Sequence, residues 1–322
     1  MAIVGIYRTP EPDAPITART PPLTPDVPSR IERLRADLLA GDAVDRGWIL
    51  DAGASMVPAL GRLLRDDDEA VRHAALTWLV DHPAQATFPA LAGALRRGEW
   101  PRLALGGLEH LADARSVSAV VGVLDDPALG EAAWRVMLAT GGERAAQVVV
   151  DRLRETENDD EDQALVGRLQ AMRGVAAVVA LIDLTREASL ATHALAALRV
   201  RPAEATALLL ERAAQPDIQE ASRAVRLLTH LAAPDTATPL GELMRRRALR
   251  PALTDALLRL DTPEAASILT AHASEPRVRA RFADAGPGVE AWLVGRLDSR
   301  RHRDCRLNVE LLGLCGRDLA VD

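Results

Sequence analysis

From Ile31 to the end of the chain, apolar residues recur at intervals of three and four, the spacing of one face of an α-helix. The pattern breaks every 12 to 16 residues at clusters of Pro, Gly and Asp, so the helices it predicts are short and numerous. No stretch shows the sustained alternation of a half-buried strand. The segment Val57-Pro58-Ala59-Leu60-Gly61-Arg62-Leu63-Leu64 aligns with Phe88-Pro89-Ala90-Leu91-Ala92-Gly93-Ala94-Leu95. Further copies follow at 117–124, 146–153 and 175–182, and weaker ones at 206–213, 237–244, 263–270 and 290–297. A period near 30 residues is the mark of stacked supersecondary units, none of which can bury its apolar stripe alone. Each copy is read as the first helix, A, of a pair.

A polar turn and a second helix, B, follow. In the clearest unit Asp66-Asp67-Asp68-Glu69 precedes Val71-Arg72-His73-Ala74-Ala75-Leu76-Thr77-Trp78-Leu79. An aspartate here accepts hydrogen bonds from the open N–H groups of the new helix, and its charge suits the positive end of the helix dipole. Small residues such as Ala75 and Ala133 let neighbouring helices approach closely.

The run from Val57 to Leu79 resembles a HEAT-like repeat of the phycobilisome-lyase type. In that family helix A carries a Val-Pro-Ala-Leu pattern, the turn is acidic and helix B opens with Val-Arg. Val71-Arg72 fits, and Val225-Arg226, Val278-Arg279 and Cys305-Arg306 are looser echoes. The resemblance covers about residues 31–316 and is sharp only in 55–140. It implies an all-α solenoid of about nine to ten antiparallel helix pairs, with B helices lining a binding groove. It also implies that Arg72 bonds a turn aspartate, Asp66 or Asp68, in a ladder between repeats; the other reading gives Arg72 a ligand.

Residues 1–30 stand apart. Seven prolines lie between Pro10 and Pro28, a density that favours extended chain, so the domain organisation expected is a Pro-rich N-terminal segment, 1–30, and a repeat array, 31–322.

Composition narrows the function. All 39 basic residues are Arg, which removes any Schiff-base lysine and any phosphate loop that needs its Lys. The net charge of −7 argues against a general nucleic-acid binder. Residues 1–244 carry 25 Arg against 35 acids, whereas 245–317 carry 14 Arg against 9 acids, so an acidic body ends in a basic region. No run of 18 apolar residues exists to span a membrane. Cys305 and Cys315, ten residues apart on one helix, stand too far apart to pair. They are expected as free thiols of a cytoplasmic protein.

Several groups carry chemistry that a groove could use. Trp78, Trp100 and Trp134 fall on or near three successive B helices; they read either as a row of exposed anchors for a partner or as fillers beside Ala-rich neighbours. His73 lies next to Arg72. Arg245-Arg246-Arg247 with Arg250, and Arg300-Arg301 with Arg303 and Arg306, form basic patches for an acidic partner or phosphates, or solvated helix ends. The run 155–162 is acidic enough for Ca²⁺, but it lacks the Gly and spaced Glu of an EF-hand loop and reads better as a solvated turn. His302 and Cys305 sit one helical turn apart, and Cys305 occupies the core position of Val71. No H-E-x-x-H and no G-x-S-x-G occurs.

The expectation is a non-catalytic scaffold that binds a protein partner, with no cofactor, no metal and no catalytic residue. Two alternatives use the same fold: a DNA-glycosylase-like protein with the tryptophans and Glu131 in a groove, or a chromophore-lyase subunit.

Overall fold

The structure, a computed structural model, describes residues 27–40, 53–156, 158–231, 233–297 and 302–315. The apolar start and most of the proline run therefore lie outside the described residues, as do Arg300 and Arg301. The chain divides at Gly107 into two compact units.

The first unit holds α1 (Val27–Leu39), α2 (Val57–Leu63), α3 (Glu69–Asp81), α4 (Phe88–Arg97) and the start of α5 (Pro101–Leu111). The first helix begins four residues before the expected Ile31, because Pro28 falls in its opening turn, where a missing N–H removes no intrahelical bond. Helix α3 opens as the acidic turn predicts: Asp68 accepts from Ala70 N at 2.9 Å. Helix α4 ends at Gly98, left-handed with φ +72°, and Glu99 N reaches back to Ala94 O at 3.1 Å. Leu34, Leu60, Leu76, Leu79 and Leu91 are fully buried between the layers, and Ala75 is buried at the contact where its small size was expected to matter.

The second unit continues the alternation. Its helices are α6 (Ser116–Val120), α7 (Gly130–Thr140), α8 (Gly142–Glu155), α9 (Asp159–Ala171), α10 (Val175–Leu184), α11 (Ala191–Val200) and α12 (Pro202–Ala214). There follow α13 (Ile218–Leu231), α14 (Ala237–Leu243), α15 (Arg250–Leu260), α16 (Pro263–Ala271), α17 (Pro276–Ala280), α18 (Pro287–Gly295) and α19 (His302–Leu314). Each even-numbered helix packs on the next even one, from α8 to α18, and each odd-numbered helix on the next odd one, from α7 to α17. That is two layers of helices with one core between them, an α-solenoid of antiparallel pairs. The nine repeated segments read from the sequence overlap α2, α4, α6, α8, α10, α12, α14, α16 and α18, so all nine are A helices. Among the described residues there is no strand.

Contacts one repeat apart tie successive pairs together. Arg35 in the first unit grips Asp66, 31 residues on. In the second, Arg152 binds Asp125 at 2.5 and 2.7 Å, Arg212 binds Asp183 at 2.7 Å, and Arg246 donates to Ala213 O at 2.7 Å. A repeat of 29 to 31 residues in sequence has become a repeat of bridges in space.

Candidate functional site

The expected ladder arginine meets one of its two expected turn aspartates, Asp66, through the main chain. Arg72 Nη1 donates to the main-chain oxygens of Asp66 at 2.8 Å and Asp67 at 3.1 Å, and Nε lies 3.8 Å from Glu99 in the next turn. The carboxylates of Asp66 and Asp68 are engaged elsewhere. Asp66 is held by Arg35, through Nε at 2.9 Å and Nη2 at 3.2 Å, and Asp68 is the helix cap. The Arg35 guanidinium, with the N–H of Asp68, keeps the Asp66 carboxyl below its ordinary range. Arg72 thus closes its own turn and reaches toward the next.

The tryptophans do not form an exposed row. Trp78 is 6% exposed and stacks on His82 with ring centroids 4.3 Å apart. Trp134 is 5% exposed, with the Arg168 guanidinium 4.3 Å above its ring. Both sit on the inner side of their helices, where Ala-rich neighbours leave room for an indole. Of these three, only Trp100 is half-buried. It stands in the turn before α5 at φ +42° and meets the exposed ring of His73 edge-on at 5.1 Å. Arg72, His73 and Trp100 are therefore brought together on the B side of the first unit, while Trp78 belongs to the core.

The three consecutive arginines go three ways. Arg246 is structural, donating to Ala213 O and to Pro216 O at 3.3 Å. Arg245 is exposed on the A side, beside Glu242 and Glu264. Arg247 is exposed on the B side and lines a cleft of about 450 Å³ between α15 and α17.

Sequence reasoning missed this cleft. Its walls carry Arg247, Arg250, Arg277 and Arg281 against Asp255 and Glu275. Arg250 pairs with Glu275, and Arg281 binds Asp255 at 2.5 Å. Arg247 and Arg277 have no carboxylate partner among the described residues, which leaves two positive charges at the rim. Pro251, Val278 and Ala280 supply an apolar floor. Thr254, 1% exposed, lines the same cleft with its hydroxyl oxygen unpaired. The signal was present in the loose echo Val278-Arg279: the residue before it, Arg277, faces the cleft, while Arg279 binds Glu310 at 2.6 Å.

A larger depression of about 670 Å³ lies between α8 and α10, with Val150, Val175 and Val179 in its lining. Most of its charges are matched within the fold: Arg154 pairs with Glu187 at 3.4 Å, Arg186 with Glu220 at 2.7 Å, and Asp183 with Arg212, while Glu143 also lines it. It offers no unpaired positive charge to a ligand.

The acidic run is not one turn. Glu155 ends α8, and Asp159 to Asp162 form the first turn of α9, where four carboxylates meet the positive end of the dipole and Asn158 caps Asp160 N at 3.0 Å. Asp162 is 9% exposed with Oδ1 unpaired; burial, then the Asp159 charge, pushes its carboxyl above the ordinary range. No group of three or more His, Cys, Asp or Glu residues among those described has the geometry to hold a metal ion. Cys305 and Cys315 are both free thiols, as the spacing requires. The side chains of His302 and Arg303 lie outside the described residues. Glu131, the acid of the glycosylase-like alternative, is bound by Arg168 Nη2 at 2.8 Å. No described helix is long and apolar enough to cross a membrane.

No protein-family model matches the chain. No curated protein matches it either. Among solved structures it is similar to human deoxyhypusine hydroxylase in complex with glycerol, at 17% identity over 89% of this chain and 97% of that one, with a TM-score of 0.26. It is also similar to an engineered protein, at 14% identity over 80% of this chain and 95% of that one, with a TM-score of 0.23. Neither likeness speaks to what the chain does; the paired helices themselves carry the fold.

Proposed function

We propose that the chain is a non-catalytic scaffold that holds a protein partner on the B-helix face of its repeats. The observation that supports this most is the α15–α17 cleft, where two exposed arginines without carboxylate partners stand over an apolar floor. Charged groups around an apolar centre are the anatomy of a protein interface rather than of a reaction site. Charge left out of the internal bridges also steers a partner and fixes its orientation. The phycobilisome-lyase type of the repeats and a cytoplasmic location, suggested by two free thiols, belong to the same reading.

The nucleic-acid alternative has less support: Glu131 is paired with Arg168, and Trp134 is buried beneath that guanidinium. The test is purification of the full chain from its native host at low salt, followed by size-exclusion chromatography and mass spectrometry. The scaffold reading expects one protein in stoichiometric amount. Retention of duplex nucleic acid or of a coloured chromophore, with no protein partner, would overturn it.

A further inference from the structure

Resting on the scaffold reading, we infer that the α15–α17 cleft takes an acidic segment of the partner protein, with carboxylates at Arg247 and Arg277 and an apolar side chain between them. Charge complementarity selects this occupant. Of the four arginines at the rim, two are neutralised by Asp255 and Glu275, and two are not. The paired ones are held in place: Arg250 also donates to Met244 O at 2.8 Å, and Arg281 also meets Asp284 at 3.0 Å. They give the cleft fixed walls, while the unpaired guanidiniums remain open to a carboxylate, which they can receive through two parallel hydrogen bonds.

The apolar floor sets the second requirement. Pro251, Val278 and Ala280 match a leucine or a similar side chain, not a phosphate-rich backbone. A strand of alternating glutamate and an aliphatic residue meets both requirements.

Fluorescence anisotropy on the full chain tests this, with a short fluorescein-labelled peptide of alternating glutamate and leucine as the probe. The wild type and Arg245→Ala bind it, and binding weakens with salt. Arg247→Ala with Arg277→Ala weakens it at least tenfold, and the glutamine version of the peptide does not bind. Both substituted side chains are exposed, so circular dichroism of the double variant stays that of the wild type. No binding by the wild type, or equal binding by the double variant, overturns the inference. So does displacement of the peptide by duplex DNA or by inorganic phosphate at lower concentration than by unlabelled peptide. None of these results touches the scaffold reading, which stands or falls on co-purification.

Discussion

The carboxylate of Asp261 receives the N–H of Gly288 and of Val289, each at 2.8 Å. An aspartate at the end of helix α15 thus caps helix α18. Asp261 can do this because it adopts a left-handed conformation, φ +50°, which a short polar side chain tolerates better than most. The approach is so close that a Cβ on residue 288 would overlap the Asp261 carbonyl oxygen.

Gly288→Ala therefore forces two repeats apart and is expected to cost about 3 kcal/mol. Asp261→Ala removes only the cap and costs about 1 kcal/mol. Urea denaturation followed by circular dichroism ranks the two. A neutral Gly288→Ala would mean that the repeats are not in register as described.

The burial of Trp134 yields a contrast between two neighbours. Trp134→Ala opens a cavity in the core and is expected to cost about 3–5 kcal/mol. Arg168→Ala removes a guanidinium above the ring and its bond to Glu131, and costs about 1 kcal/mol. Thermal unfolding separates these outcomes. A variant of Trp134 that unfolds like the wild type would place the indole in solvent.

Acid and base act in opposite senses at Asp66 and Asp125 on one hand and Asp162 on the other. Arg35 lowers the Asp66 carboxyl and Arg152 lowers that of Asp125, so each contributes stability that is present above the ordinary carboxylate value and is lost as pH falls from that value through the lowered one. Asp162 is raised by burial, so the folded state holds its proton more tightly and stability falls as pH rises from the ordinary value through the raised one. Asp162→Asn should raise the melting temperature at pH 7 and lose that advantage at pH 3; Asp125→Asn should lower it more at pH 7 than at pH 3. Melting curves at both pH values check the signs, and a parallel response of the two variants would contradict them.

The thiols report on the last described helix. Cys315 is 7% exposed and Cys305 is half-buried, with Sγ 3.2 Å from Leu297 O. A thiol-specific reagent should modify Cys305 first and Cys315 only on unfolding. Fewer than two titratable thiols in denaturant would mean a disulfide.

The helix pairs were legible because a stack repeats one pattern: apolar spacing, proline in an opening turn and aspartate before helix B recur in unit after unit. The candidate site was not, because it depends on which arginine finds a partner across a repeat. Arg245, Arg246 and Arg247 are indistinguishable in sequence, yet only Arg246 reaches the carbonyls of Ala213 and Pro216, and only Arg247 turns into the cleft. The tryptophans show the same limit. A period of three or four puts an indole on a helix face, but Arg168 lying over Trp134 decides that the face is closed. Arg72 reaches the turn aspartate Asp66 at its main-chain oxygen, while Arg35, one repeat earlier, takes the carboxylate.

Hydrogen–deuterium exchange of the full chain, with and without the protein that co-purifies with it, tests most directly whether the B-helix face is the binding surface. Protection on α15 and α17, with the A helices α14 and α16 unchanged, is the predicted result. Protection confined to A helices, or none on the basic repeats, would contradict it.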